Sequence, residues 1–197
     1  MQRKIAKTAL EQRRMAKAYG LYAVALTLTY KPSENPSGKD ISRFLDKLRR
    51  KLKGLGIPLL YTWVLERQEA FHYHLQIWLP RGERLDAKSR ERWWPHGRTQ
   101  AELCRSPARW ARYLSKSETK ESLPPGVRFF GTGGLDDRGQ ETVRRACLPR
   151  WLQRELPVFA RPRRRRGGGW VDILTGELYR SPYVWKPEGI TRRPPEP

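Results

Sequence analysis

Two apolar, aromatic-rich runs, Leu59 to Glu66 and His72 to Leu79, stand either side of the short polar stretch Arg67-Gln68-Glu69-Ala70. Each run reads as a β-strand and the stretch between them as a hairpin connection, which leaves this part of the chain few alternatives. Side chains alternate along a strand, so Tyr73, Leu75 and Ile77 share one face while His72, His74 and Gln76 share the other. The chain has only three histidines, and this alternation makes two of them neighbours. A suitable hairpin register brings Glu66 onto the face of His72. Two imidazoles and a carboxylate suit Mn²⁺, and Mg²⁺ where a phosphate adds oxygens, whereas a bare H-x-H can equally be a surface pair without a metal. Gln76 is a candidate to orient a ligand or water at this site, or an ordinary polar residue of a sheet face.

The flanking segments extend the pattern. Leu21 to Tyr30 reads as a buried strand ended by Lys31-Pro32, and Asp40 opens a helix in which Ile41, Phe44, Leu45, Leu48 and Leu52 recur at helical spacing before Gly54. After the hairpin, Trp93 to Gly97 forms an aromatic loop, and Thr99-Gln100-Ala101-Glu102 has the form of a capping box that predicts a short helix. Ser106-Pro107 opens another helix, running to about Glu121. Val127 to Phe130 is a short last strand followed by a glycine-rich turn, and Asp137 to Cys147 predicts one more helix. Strand, helix, strand, strand, helix, strand is the order of a split βαβ domain, ferredoxin- or RRM-like. The expected fold class is therefore α+β, an antiparallel sheet with helices on one face and the other face open to nucleic acid.

Charge limits the partners. With 41 Lys and Arg against 20 Asp and Glu, a net +21 over 197 residues, the chain calls for a polyanion, and nucleic acid comes first. No segment approaches the ~20 apolar residues of a membrane span, and the basic start lacks the apolar region of a signal peptide, so a cytoplasmic protein with no membrane partner is expected. Cys104 and Cys147 lack metal or disulfide spacing. The expected organisation is a basic arm or loose helix over 1–20, a domain over 21–160, and an arginine- and glycine-rich linker with a tail over 161–197 that folds back on the domain or remains apart. Arg163, Arg164, Arg165 and Arg166 are expected to neutralise phosphates from a solvated linker.

The helix from Pro107 offers a nucleophile. Tyr113 lies at the margin of the stripe formed by Trp110, Ala111 and Leu114, with Lys116 one turn on and Lys120 on the same side. Packing is the commoner role of a helical tyrosine, with the hydroxyl kept wet. Trp93 and Trp94 are candidates to stack on single-stranded bases, with core packing as the alternative. His96 is read as loop structure or a DNA contact.

In these residues the chain resembles a known family. HYHLQIWLP at His72 to Pro80 resembles the motif of two histidines around a hydrophobic residue in the HUH endonucleases, which include rolling-circle initiators and relaxases. Tyr113-Leu114-Ser115-Lys116 resembles the Y-x-x-K motif of their single-tyrosine branch, and ALTLTY at Ala25 to Tyr30 resembles their first strand motif. WWPHG at Trp93 to Gly97, RFFGTGGL at Arg128 to Leu135 and GWVDILTGELYRSP at Gly169 to Pro182 are similar to segments of filamentous-phage replication initiation proteins. The polar run after Lys116 departs from that pattern, and no P-loop lysine motif is present.

The resemblance implies an HUH-type fold and a metal-dependent nickase and strand transferase acting on single-stranded DNA at a replication origin. It implies Tyr113 as nucleophile, Lys116 as its helper and Glu66, His72 and His74 as ligands of Mn²⁺ or Mg²⁺. A host helicase and polymerase are implied as partners, with no nucleotide cofactor. A single-tyrosine transposase, a non-catalytic RNA- or DNA-binding module and a structural zinc site are the alternatives.

Overall fold

The computed structural model describes residues 2–116, 123–166 and 168–193, with the backbone alone at 115–116 and 185–186. Two compact units, Met1–Arg144 and Arg145–Pro197, divide the chain within a helix.

In the first unit the elements run α1 (Gln2–Ala18), β1 (Leu21–Thr29), α2 (Asp40–Lys53), β2 (Tyr61–Arg67), β3 (Phe71–Pro80), α3 (Ala87–Trp93), β4 (Thr99–Leu103), α4 (Pro107–Lys116), β5 (Phe130–Gly133) and α5 (Asp137–Ala146). Five strands form one sheet in the order β4-β1-β3-β2-β5, every neighbour antiparallel. The fold is α+β with the split βαβ core that the element order predicts: β3 lies between β1 and β2, and α2 connects those two parallel strands.

Alternation along β3 separates two apolar layers. Phe71, Tyr73, Leu75, Ile77 and Leu79 pack with Leu26, Leu28, Trp63, Leu65 and the α2 stripe of Ile41, Phe44, Leu45, Leu48 and Leu52. Each such side chain, once buried, contributes about 1.5–3 kcal/mol. The opposite face is covered too. Val64 of β2 packs with Ile5 of α1 and Leu114 of α4, and Trp78 of β3 packs with Met15 and Ala16 of α1. Helices thus lie on both faces, where the sequence had both on one and the other face open.

The N-terminal segment is a helix of this unit. It contains no glycine or proline, it stops before Gly20 at φ 64°, and its buried stripe is Ile5, Thr8, Gln12, Met15 and Ala16. Gln12 fixes it to the sheet: its Nε2 donates to the carbonyls of Tyr61 (2.7 Å) and Gly133 (3.1 Å), and its Oε1 accepts from Thr62 Oγ1 (3.1 Å).

Two further expectations change. Thr99 to Leu103 is the edge strand β4, in register with Val24 to Leu28 of β1. Pairing to the exposed backbone of β1 outweighs the local helix signal. The last strand begins at Phe130 and takes in the glycines expected to turn. Gly131 lies opposite Trp63 and Gly133 opposite Tyr61, and a Cβ at either position would stand 2.5 Å from the facing ring. Those glycines make room for aromatic side chains. Gly134 is the turn, with φ 87° and the Leu59 carbonyl occupying the place a Cβ would take.

In the second unit, α6 (Arg150–Glu155) precedes β6 (Pro162–Arg164), β7 (Trp170–Asp172), β8 (Leu178–Tyr179), β9 (Tyr183–Lys186) and β10 (Gly189–Arg192). The arginine run expected as a solvated linker includes β6, which pairs Arg163 with Val171 and Arg164 with Trp170. Leu148, Leu152, Leu156, Ala160 and Tyr179 make a small core. Asp172 closes the β7–β8 turn, its carboxylate accepting from the amides of Arg161 and Leu174 and from Thr175 Oγ1. The amide of Arg161, then that of Leu174, hold this carboxyl below the usual aspartate range. Among the described residues no helix is long and apolar enough to cross a membrane.

Candidate metal and nucleophile site

The hairpin register sets Glu66 directly across from His72. His74 lies two residues on, across from Thr27 of β1. The ligand atoms of Glu66, His72 and His74 all fall within 4.8 Å of one another. Glu66 Oε2 is 3.5 Å from His74 Nε2 and 3.8 Å from His72 Nε2.

The other ring nitrogens decide what these Nε2 atoms present. His72 Nδ1 is 3.2 Å from the carbonyl of Ala70, which only accepts, so Nδ1 carries the proton in that bond. His74 Nδ1 is 3.2 Å from Thr27 Oγ1. With the Nδ1 protons so placed, both Nε2 lone pairs face Glu66, the arrangement of histidines that ligate metals. Burial, then the neighbouring His72, lower the pKa of His74, against a raising effect of Glu66. The imidazole of His74 is thereby kept neutral, as a ligand requires. The donor set therefore fits a divalent cation.

Helix α4 brings Tyr113 to the same point. Its hydroxyl donates to Glu66 Oε2 at 3.4 Å, and its ring lies edge-on to His74 with centroids 5.7 Å apart. Trp110, one turn earlier, stacks on Tyr113 at 5.2 Å and 24°, and donates from Nε1 to the Leu75 carbonyl at 3.3 Å. Leu114 is fully buried beneath, yet Tyr113 is 44% exposed, so a ligand can reach its hydroxyl from solvent. Burial first, then the charge and hydrogen bond of Glu66, raise the tyrosine pKa.

The remaining candidates fall elsewhere. Gln76 is buried on the histidine face, but no hydrogen bond joins its amide to a described residue, and Thr62 across from it donates to Gln12 instead. Trp94 is only 1% exposed, with Nε1 donating to the Thr29 carbonyl, and Trp93 meets Phe44 edge-on on the α2 side. Trp94 is therefore core, which corrects its place as a base-stacking surface, and Trp93 packs against the same core. His96 bridges Glu34 and Asp40 beside Tyr30, a structural role. The backbone of Lys116 ends α4, while its side chain and the whole of Lys120 lie outside the described residues. Arg163 to Arg166 belong to the second unit. Thr27 and Trp110 went unassigned in the sequence; cross-strand register against His74 was the one signal for Thr27, and the i, i+3 aromatic spacing was the signal for Trp110.

Fold and site together define a split βαβ protein with a His-His-Glu cluster and an adjacent, accessible helical tyrosine. Residues 23–118, which hold β1 to β4 and α4, match the family model of the ORF2-type replication-associated proteins. That match supports a replication-initiator family and a role in replication initiation. No curated protein and no solved structure matches the chain.

Proposed function

We propose that the protein nicks and rejoins single-stranded DNA at a replication origin as an HUH-type, single-tyrosine initiator of rolling-circle replication, in a phage or plasmid. The observation that carries this reading is the meeting of Tyr113 Oη with Glu66, His72 and His74, three donors within 4.8 Å of one another. The family match over the same segment supports it.

Glu66, His72 and His74 would hold the Mn²⁺ or Mg²⁺. When bound, the cation supplies Lewis-acid polarisation of the scissile phosphate and offsets the charge of Glu66. Ala70 and Thr27 keep both imidazoles turned toward it. Trp110 fixes the tyrosine ring so that Oη is presented beside the donors. In the nicking step Tyr113 Oη bonds to phosphorus, the bond from phosphorus to the 3′ oxygen breaks, and the departing oxygen takes a proton to become a 3′ hydroxyl. The phenolic proton leaves by way of Glu66 or water. The DNA stays joined to Tyr113 through its 5′ phosphate, and attack by a 3′ hydroxyl reverses the exchange without ATP. Lys116, from its place one turn after Tyr113, is assigned to neutralising phosphate charge. Strand opening falls to a partner helicase, and the freed 3′ end to a polymerase.

An end-labelled oligonucleotide carrying the replicon's origin tests the reaction. Cleavage should require Mn²⁺ or Mg²⁺, yield one fragment that a polymerase extends, and fall at least a hundredfold on His74→Ala. Undiminished cleavage by the alanine variant in the presence of chelator would remove the site from the chemistry.

A further inference from the structure

The second unit contains a groove that the nicking chemistry does not use. Its cavity, about 1040 Å³, lies among the start of α6, the turn between β6 and β7, and the β9–β10 hairpin. Trp151 and Trp170 are half-buried in its wall and Tyr183 is exposed at its edge. Arg164, Arg165 and Arg193 also line it, all exposed, and no Asp or Glu is among the described lining residues.

This sign of charge is general to the unit. Residues 145–197 contain 12 Lys and Arg against 5 Asp and Glu. Two of those acids are occupied locally: Asp172 by backbone amides, and Glu177 by the Tyr179 hydroxyl at 2.6 Å. The backbone holds the cations in place, since Arg164 is in register with Trp170 on β6 and β7, and the Arg165 amide donates to the Gly169 carbonyl at 3.2 Å. A concave surface with aromatic rings on its walls and guanidinium groups beside them matches the two demands of an unpaired strand. Bases need flat apolar partners, and phosphates need fixed positive charge. A duplex satisfies only the second demand, because its bases are already stacked. The volume is at the upper end of the ~300–1,000 Å³ range of small-ligand pockets, room for more than one nucleotide.

We infer that this groove in Arg145–Pro197 is a binding site for single-stranded nucleic acid, separate in its residues from the Glu66, His72, His74 and Tyr113 cluster. It gives the chain a second hold on a strand, independent of any scissile phosphate.

The test uses the full-length chain carrying Tyr113→Phe, so that no cleavage competes, and a fluorescent homopolymeric thymidine oligonucleotide with no origin sequence. Arg164→Gln combined with Arg165→Gln should weaken binding about tenfold or more and lower the slope of log K against log salt by about 1.4. Arg164→Lys with Arg165→Lys should restore the slope, which separates lost charge from lost folding. Tyr183→Ala should weaken the single strand about tenfold and leave a duplex of equal length unchanged. Unaltered affinity and slope in the glutamine variant would overturn the inference, as would equal losses for single strand and duplex on Tyr183→Ala. Origin cleavage by these variants in the Tyr113 background is a separate readout, so failure of the groove and failure of the nicking reading are distinguishable.

Discussion

Thr27 reaches the metal ligands only through His74, which makes it a direct probe of how the site is organised. Thr27→Val keeps a β-branched side chain of similar size on β1 but removes the oxygen 3.2 Å from His74 Nδ1. Mn²⁺ affinity, measured by titration calorimetry, should fall about 10–100-fold with the fold intact. An unchanged affinity would show that the His74 tautomer does not depend on that hydroxyl. The lowered pKa of His74 has a consequence for stability as well. The unfolded chain protonates this group near pH 6.5 while the folded chain resists, so below that value the unfolded state binds more protons. Stability from this residue is therefore complete above about pH 6.5 and is lost as pH falls toward the lower folded value. Urea midpoints of the metal-free protein should drop between pH 7.5 and 5.5, by less in His74→Gln. The same drop in both proteins would contradict it.

At the scale of elements, α1 explains what a sequence conceals. Its outward composition is that of a basic arm, and the apolar residues Ala9 and Leu10 suggest the wrong stripe; Leu10 is 58% exposed. The stripe that packs includes Thr8 and Gln12, and a polar residue enters the interior only when its partners exist. Those partners, the carbonyls of Tyr61 and Gly133, come from strands 49 and 121 residues away. No local pattern reports them. By contrast, β1, β2, β3 and α2 were legible because each is amphipathic or continuously apolar over its full length, and the β2–β3 register followed from a short connection. Glu66, His72, His74 and Tyr113 were legible as residue types at suggestive spacing. Their meeting point required α4 to cross the sheet on the histidine side. Glycines 131 and 133 were misread as a turn because their purpose, clearance for Trp63 and Tyr61, lies on the neighbouring strand. Ile5→Ala should cost about 2–5 kcal/mol by urea denaturation, since Ile5 is fully buried against Val64 and Leu114. A cost near zero would show that α1 is not part of the folded unit.

On the scale of the whole molecule, a net +21 supplies general attraction to nucleic acid, and the second unit's groove adds a place where a strand can lie. Neither accounts for chemistry. The chemistry is assigned to one contact, a tyrosine hydroxyl beside a two-histidine, one-carboxylate cluster, with the tyrosine ring held by Trp110 and open to solvent. The most direct test is to incubate the protein with origin-bearing single-stranded DNA and Mn²⁺, digest the product, and locate the modified residue by mass spectrometry. A nucleotide attached through its 5′ phosphate to Tyr113, and absent from Tyr113→Phe, is the predicted result. An adduct on another residue, or one of equal yield in the phenylalanine variant, would contradict the assignment of Tyr113 as the nucleophile.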